Sequence, residues 1–376
     1  MEKGILKISQ FSKIYISKYL AIAFFLTSFF FSSFSKSDSY AVASRHNLAT
    51  DIGMSILEDG GNAIDAAVAV AFALAVVNPS AGNLGGGGFM LIHLAEKNET
   101  FSIDYRERAP INSFEKMFQD NSGKVIKGLS LNSVLSSGVP GTVSGMFYAS
   151  ERFGKKNIKN LIKPSIDLAK NGFVLSNFQA NNLNKFKEKF SKNKEAKKIF
   201  TRPNGFFEGD LLVQTNLART LERIAKNGKQ EFYSGTTAKK IANFFQSNGG
   251  ILSLKDLEEY RLRILEPVCG QYRSYEVCSM SPPSSGGIAL IQILNILENV
   301  DLGKFDHNSE EYLKLLISAM DYAYKDRAEY LGDPDFFKVP QDLLTSKKYA
   351  YDIHLQILRK KQPSKANVNI VEGEET

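Results

Sequence analysis

The sequence predicts an α/β globular protein, and three observations support this fold class. Apolar stretches with helical spacing alternate with two short regions of strand character. The region from about residue 140 to residue 260 has a mainly helical pattern. Of the 376 residues, 43% are hydrophobic and 11% aromatic, which is enough to bury a large core. We therefore expect a folded protein of one large domain or two ordinary ones, without internal repeats or low-complexity linkers.

Residues 1–35 have the layout of a secretory signal peptide. Four lysines precede an apolar run from Tyr19 to Phe34, and small residues lie at Ser33 and Ser35. A single membrane anchor is the alternative, but the run is rich in serine and short for a span of about 20 residues. We expect cleavage near Ser35, export to the periplasm or out of the cell, and no stable membrane span afterwards. Residues 36–376 then form the mature domain.

The charge and the metal-ligating residue types exclude two function classes. The formal charge is +7, and loss of the leader leaves 43 basic and 39 acidic residues, a charge of +4. This excess is too small to indicate nucleic-acid binding. The four histidines and two cysteines are too scattered for a structural zinc site, and we expect no cofactor.

The first elements are two helices. The stretch ATDIGMSILEDGGN predicts a helix with Ile52 and Ile56 on one face and Gly60-Gly61 as its stop. Residues 63–77 are apolar all round apart from Asp65, and Asn78-Pro79 ends the run. Fifteen residues are too few to span a membrane, so this segment predicts a buried core helix.

Two strands follow, at Phe89–Leu94 and Thr100–Arg106, around a polar turn. The preceding GNLGGGG run, residues 82–88, resembles a phosphate-binding loop, but the order is helix, glycines, strand, and no Lys-Ser/Thr follows. Close approach of other main chain or of substrate is the better explanation for four consecutive glycines.

The rest of the chain predicts helices, one more hairpin and an extended tail. Leu217, Leu221 and Ile224 have helical spacing, and Ser253 with Asp256 forms an N-terminal capping pattern. Helix stops are expected at Gly172, Gly228 and Gly249-Gly250. Beyond them we expect a hairpin at 266–280, a loop at 282–287 and helices at 288–300 and 310–332. The segment at 360–376 is expected to be extended.

Arg106 is the candidate ligand-binding residue, because it ends a strand of a buried hairpin and its planar guanidinium can hold a carboxylate through two hydrogen bonds. A surface ion pair with Glu107 or another acid is the alternative. Ser284 and Ser285 could offer hydroxyls, although their Pro-Pro and Gly-Gly flanks mainly indicate a rigid turn. The residues alone therefore provide no complete catalytic group: no G-x-S-x-G motif is present, and no histidine (His46, His93, His307, His354) lies beside a Ser or Cys nucleophile pattern.

Five ordered segments together resemble the gamma-glutamyltranspeptidase (glutathione hydrolase) family. They include IDYRERAP at 103–110, PPSSGGIALIQILNILE at 282–298 and DRAEYLGDPDF at 326–336. The others are GGNAIDAAVAVAFALAVVNPSAGNLGGGGFML at 60–91 and SGVPGTVSG at 137–145. The resemblance runs from about residue 41 to the last residue and covers the large-subunit region of that family only.

The resemblance implies an N-terminal-nucleophile hydrolase with a four-layer αββα sandwich, incomplete without the small subunit. In this family a precursor cuts itself before a threonine, and Thr376, after Glu375, matches that nucleophile position. Arg106 matches the arginine that grips the α-carboxylate of the γ-glutamyl group. The expected partners are glutathione, other γ-glutamyl compounds and a small subunit that carries the N-terminal threonine and the oxyanion hole. This implies a γ-glutamyltransferase or glutathione hydrolase, inactive as an isolated chain; a related acylase or a non-catalytic fragment is the alternative.

The hairpin at 266–280 brings the two cysteines opposite each other if Arg273-Ser274 is a two-residue turn, because Tyr272 then faces Tyr275 and Cys269 faces Cys278. At a non-hydrogen-bonded position the Cα atoms of two strands lie about 4.5 Å apart, which allows a disulfide. An exported protein meets oxidising conditions. A Cys269–Cys278 disulfide is therefore possible, and two free thiols on the strands are the alternative.

Overall fold

The structure is a computed structural model that describes residues 40–81 and 84–359. One compact unit begins at Val42 and contains all the helices and strands of the described residues. The predicted leader, Thr376 and the tail from residue 360 lie outside the described residues. Within the described part of the chain, no helix has both the length and the apolar character needed to cross a membrane.

The elements of the described residues alternate between helices and short strands. The helices are α1 (Asn47–Glu58), α2 (Ala63–Val77), α3 (Leu129–Asn132), α4 (Thr142–Phe153), α5 (Ile158–Asn171), α6 (Asn177–Lys185), α7 (Lys187–Ser191), α8 (Lys194–Phe200), α9 (Thr215–Asn227), α10 (Gln230–Tyr233), α11 (Thr236–Ser247), α12 (Leu254–Glu258), α13 (Gly286–Leu297), α14 (Glu310–Tyr330), α15 (Gln341–Leu344) and α16 (Lys347–Arg359). The strands are β1 (Phe89–Leu94), β2 (Glu99–Asp104), β3 (Phe173–Val174), β4 (Leu211–Leu212), β5 (Arg263–Leu265), β6 (Val268–Tyr272) and β7 (Tyr275–Ser279). Mixed α/β content is therefore confirmed.

The first two helices form as the sequence predicts. Helix α1 ends before Gly60, whose positive φ of 79° is easily reached by glycine. Helix α2 is the buried core helix, and Asn62 forms a capping box with Asp65 at its start. The Asp65 carboxylate is fully buried, but it also accepts main-chain hydrogen bonds from Lys155 and Lys156 at 3.0 to 3.2 Å. These bonds compensate the cost of burying its charge.

The middle of the chain is helical as expected, with one small addition. Gly172, Gly228 and Gly249 end helices with positive φ angles, and the Ser253–Asp256 capping box begins α12. Leu221 on α9 belongs to the large core that α2 also lines. The two-residue strands β3 and β4 form a further antiparallel pair that the sequence pattern did not predict.

The central sheet has the order β1-β2-β5 and is antiparallel throughout. Strand β2 pairs with β1 on one side and with β5 on the other, so its end has neighbours on both sides. It ends at Asp104, two residues earlier than the sequence predicted. Arg106 therefore lies beyond the strand, in the loop that leaves the sheet.

The C-terminal part contains the predicted hairpin and helices with two differences. Strands β6 and β7 pair in the expected register, with Tyr272 opposite Tyr275. Helix α13 begins at Gly286, so the expected loop at 282–287 is two residues shorter than predicted. Helix α16 was not predicted; Ile353 on α16 packs with Ile296 of α13 and Ala319 of α14 in a second core.

Candidate active site

The main chain of Arg106 is held by hydrogen bonds at both its amide and its carbonyl. The Arg106 N–H donates to Asp104 Oδ1 at 3.0 Å, and the Tyr260 hydroxyl donates to the Arg106 carbonyl at 3.0 Å. Burial, followed by the negative charge of Asp104, raises the pKa of Tyr260 above its usual value. The Tyr260 hydroxyl therefore stays protonated and remains a donor at neutral pH.

Glycines surround the preceding residue, Tyr105. Its main chain exchanges hydrogen bonds with Gly88, at 3.0 and 3.3 Å. A Cβ atom at Gly141 would lie 1.9 Å from the Tyr105 carbonyl oxygen, and one at Gly87 would lie 2.6 Å from it. A Cβ atom at Gly145 would lie 2.4 Å from the Tyr105 ring. The part of the glycine run that the structure describes thus serves close approach of main chain, as the sequence predicted.

Arg263 forms ion pairs with the acidic groups at this end of the sheet. Asp104 on β2 is directly opposite Arg263 on β5, and the Asp104 carboxylate is only 4% exposed. Asp104 Oδ2 accepts from Arg263 Nε at 3.0 Å and lies 2.8 Å from Arg263 Nη2. Arg263 Nη1 also donates to Asp335 at 2.8 Å and lies 3.7 Å from Asp333. Burial by itself lowers the pKa of Arg263, but these carboxylates raise it overall.

The guanidinium of Arg106 has no such partner. It is exposed, and no carboxylate of the described residues forms a salt bridge or a hydrogen bond with it. Arg106 therefore does not form the surface ion pair with Glu107 that was the alternative prediction. Arg106 instead lines a cleft of about 580 Å³ with Arg263, Pro283 and Phe336. An unpaired arginine in an open cleft is available to an anionic ligand.

The described lining of the cleft includes no hydroxyl or thiol nucleophile. The described residues that line it are Asp104, Arg106, Glu107, Arg108, Ala109, Arg263, Pro283, Gly332, Asp333, Asp335 and Phe336. None of these residue types carries a hydroxyl or a thiol. A hydroxyl or thiol that attacks a bound substrate must therefore come from residues outside this lining.

Ser285 and two of the histidines considered from the sequence have local structural environments. Ser285 Oγ accepts a hydrogen bond from Arg327 Nε at 2.9 Å. His46 caps helix α1 through a hydrogen bond from Leu48 N–H, and His354 is buried in α16. Their surroundings are those of structural residues.

The two cysteines are bonded to each other in the structure. Cys269 and Cys278 lie opposite each other on β6 and β7, with Cα atoms 4.1 Å apart and an S–S distance of 2.10 Å. Glu276 lies near both sulfur atoms, and these three residues are the group with metal-ligand potential among the described residues. Because both sulfurs belong to the disulfide, neither is a thiolate that could bind a metal.

Sequence reasoning found Arg106 but missed Asp104, Tyr260 and Arg263, which fix its surroundings. A signal existed for Asp104 alone, since a carboxylate that follows the apolar residue Ile103 in a strand leaving a buried hairpin needs a partner. Tyr260 and Arg263 lie more than 150 residues further along the chain. No local pattern connects such distant positions.

A family model described as gamma-glutamyltranspeptidase matches residues 49–376. The glutathione hydrolase proenzyme of Escherichia coli strain K12 is 47% identical over 326 residues, covering 86% of this chain and 56% of that protein. The acylase ACY 1 proenzyme of Pseudomonas sp. strain SE83 is 35% identical and is also covered over 56% of its length. The chain thus spans slightly more than half the length of these relatives.

A solved structure shows the same fold. The crystal structure of Helicobacter pylori gamma-glutamyltranspeptidase is 43% identical in sequence and superposes with a TM-score of 0.84. The superposition covers 90% of this chain and 99% of that chain. A chain of similar extent is therefore known to adopt this arrangement of helices and strands.

Proposed function

Because this chain belongs to the gamma-glutamyltranspeptidase family, we propose that it is the large-subunit portion of a γ-glutamyltransferase or glutathione hydrolase. The enzyme would cleave the γ-glutamyl amide bond of glutathione and similar compounds and pass the γ-glutamyl group to water or an amino acid. The similarity to the E. coli glutathione hydrolase proenzyme supports this reaction class. The almost complete coverage of one solved chain supports the assignment to a large subunit.

The unpaired guanidinium of Arg106 is the observation that carries this proposal. Its main chain is fixed by Asp104 and Tyr260, while its side chain is exposed to the cleft without a partner among the described residues. A γ-glutamyl group has a free α-carboxylate at the end remote from the scissile amide. Arg106 binds that carboxylate through two parallel hydrogen bonds and so orients the amide for attack.

The nucleophile in this proposal is the threonine at the position of Thr376, which becomes the first residue of the small chain when a longer precursor cuts itself. Its hydroxyl attacks the carbonyl carbon of Glu375, and an N-to-O shift followed by hydrolysis breaks the Glu375–Thr376 peptide bond. The α-amine released has a reference pKa of about 7.7–8.0 and acts as the general base. The threonine oxygen then attacks the γ-glutamyl carbonyl, the amine leaves with a proton, and water or an amino acid accepts the acyl group. No cofactor takes part in these steps.

A second chain completes the site and the fold. The exposed stripe of Leu313, Ile317, Met320 and Tyr324 recurs at helical spacing along α14, with exposures between 38% and 56%. An uncovered apolar face of this length favours a protein partner. In the proposal the small subunit contributes the oxyanion hole and strands that extend the central sheet into the four-layer αββα sandwich of N-terminal-nucleophile hydrolases.

We further propose that the protein acts outside the cytosol, in the periplasm or after secretion. The leader at residues 1–35 has the signal-peptide pattern, and a disulfide such as Cys269–Cys278 persists where conditions are oxidising.

A related acylase is the second candidate, since the Pseudomonas acylase is a relative of this chain. Arg106 favours a substrate with a free α-carboxylate, which a γ-glutamyl compound has. A non-catalytic fragment is the remaining alternative. Measuring turnover of γ-glutamyl and glutaryl amides side by side separates the three candidates. Preference for the γ-glutamyl compound supports the transferase, and preference for the glutaryl compound supports the acylase. If neither compound is turned over, the result supports the non-catalytic fragment.

The decisive experiment is release of a chromogenic γ-glutamyl leaving group by residues 36–376, alone and co-expressed with a small chain that begins with threonine. We expect no turnover by residues 36–376 alone, because the nitrogen of Thr376 is held in a peptide bond and the oxyanion donors of the small chain are missing. Co-expression should restore turnover. A small chain with alanine in place of its first threonine is the matched control and should stay inactive. Turnover by the large chain without any small chain detectable by mass spectrometry would contradict the proposal.

A further inference from the structure

The Asp104–Arg263 pair is built so that both carboxylate oxygens of Asp104 are occupied. Oδ2 accepts from the Arg263 guanidinium, and Oδ1 accepts from the main-chain N–H of Arg106. The two residues face each other across β2 and β5, so the sheet register fixes their separation. Each oxygen of Asp104 thus already has a donor, and neither donor is the side chain of Arg106.

Arg263 also contacts two further acids of the cleft. Asp335 and Asp333 belong to the segment that follows α14, and both lie within 4 Å of Arg263 Nη1. Glu107 is the other acidic residue lining the cleft among the described residues. Three carboxylates that could attract Arg106 are thus held by one competing cation.

We propose that Arg263 is a positioning residue that keeps Arg106 free by occupying the carboxylates around it. The effect of Arg263 on substrate binding rests on the proposed function, in which Arg106 binds the substrate carboxylate. The effect on Arg106 itself does not depend on any reaction.

The physical reason is the cost of an unpaired buried charge. Without Arg263, the carboxylate of Asp104 stays buried with no cation opposite it, which is strongly unfavourable. The nearest unpaired guanidinium along the chain is two residues away, on Arg106. Because Tyr260 still holds the Arg106 carbonyl, the side chain of Arg106 can turn toward Asp104 without loss of the main-chain bond. Arg106 then becomes unavailable to a ligand.

The first test measures arginine reactivity and needs no turnover. Phenylglyoxal reacts faster with a free guanidinium than with one held in an ion pair, and tandem mass spectrometry assigns the modified residue. In the full chain, Arg106 should be labelled rapidly and Arg263 slowly. In Arg263→Gln the labelling rate of Arg106 should fall several-fold. In the double variant Asp104→Asn/Arg263→Gln it should return to the original rate, because asparagine keeps an acceptor for the Arg106 N–H but carries no charge.

Two further variants separate this role from simple structural support. Asp335→Asn removes an outer contact but leaves the Asp104–Arg263 pair, so Arg106 should be labelled as in the unaltered protein. Arg263→Lys retains a cation opposite Asp104 and should give an intermediate rate. Melting temperatures of all variants show which of them are folded, and Arg263→Lys keeps the test decisive if Arg263→Gln does not fold.

The second test uses the enzyme assembled with its small chain. If Arg106 is free in only about one molecule in ten, the apparent substrate affinity falls about tenfold. Arg263→Gln should therefore raise KM for a γ-glutamyl donor about tenfold with little change in kcat, and Asp104→Asn/Arg263→Gln should restore KM.

The outcomes separate this inference from the proposed function. Unchanged labelling of Arg106 in Arg263→Gln, or a double variant that stays as slow as the single one, overturns the positioning role. An assembled enzyme without γ-glutamyl turnover overturns the proposed function, while the labelling pattern still supports or overturns the role of Arg263.

Discussion

The Tyr260 hydroxyl donates a hydrogen bond to the main-chain carbonyl of Arg106 across 154 residues of sequence. Tyr260 also stacks on Tyr233, whose hydroxyl binds the Pro140 carbonyl at 3.0 Å. The loop that carries Arg106 is therefore supported by two tyrosines that are themselves packed against each other. This support orients Arg106 before any ligand arrives, which reduces the entropy that binding must remove.

Tyr260→Phe should weaken substrate binding modestly. The substitution removes one hydrogen bond to the Arg106 carbonyl and keeps the stacked ring, so we expect a loss of about 0.5–1.5 kcal/mol in stability. KM for a γ-glutamyl donor should rise, because the Arg106 main chain is less firmly held. Chemical denaturation and steady-state kinetics of the assembled enzyme measure both effects. Tyr275→Phe, at a 70% exposed position in the hairpin, is the control and should change neither.

Arg106→Lys should reduce substrate binding much more strongly. Lysine keeps the positive charge but cannot form the two parallel hydrogen bonds of a guanidinium. We expect kcat/KM for γ-glutamyl donors to fall by the equivalent of about 2–4 kcal/mol. Arg219→Lys, an exposed change on α9, is the matched control. Equal kinetics in the Arg106 variant and the unaltered enzyme would rule out the carboxylate grip.

The exported protein should contain the Cys269–Cys278 disulfide. The bond closes a short loop within a hairpin that is already paired, and loop closure of this kind stabilises by about 2–3 kcal/mol in the chain-entropy model. Mass spectrometry after alkylation without reduction tests the bond directly. Two alkylated cysteines in the exported protein would argue for free thiols instead, and a sample reduced before alkylation provides the control.

Acidification should destabilise the protein partly through His354. Its side chain is 7% exposed, and burial lowers its pKa below 6.5, so the folded state favours the neutral ring. The unfolded state takes up the proton first as pH falls. His354 therefore contributes its full stabilisation above about pH 6.5. As pH falls from there to the lower folded-state pKa, this contribution decreases by no more than about 1.4 kcal/mol per pH unit.

Chemical denaturation at pH 7, 6 and 5 checks this contribution. His354→Met removes the titrating group and keeps a buried apolar side chain, so its free energy of unfolding should fall less steeply than that of the unaltered protein. Parallel slopes for the two proteins would show that His354 does not contribute. His46, whose pKa burial also lowers, remains in both proteins and cancels from the difference.

The sequence by itself determined the elements whose signals are local. Helix α2 follows from an apolar run that only Asp65 interrupts and that Asn78-Pro79 ends, and the hairpin of β6 and β7 follows from its turn and alternation. The choice of Arg106 also came from the sequence, through its place at the end of a strand and the resemblance of IDYRERAP to a known family. Such features depend on neighbours a few residues away, which periodicity and turn chemistry report.

Only the tertiary structure decided the surroundings of Arg106. The sequence extended β2 to Arg106, but the strand ends at Asp104, where β5 pairs with it and supplies Arg263. The Tyr260 hydroxyl and the close packing of Gly141 on Tyr105 likewise join segments far apart in the chain. Helix α16 was missed because its stability comes from packing of residues such as Ile353 on α13 and α14. Contacts of this kind form only when the chain folds, so no local pattern contains them.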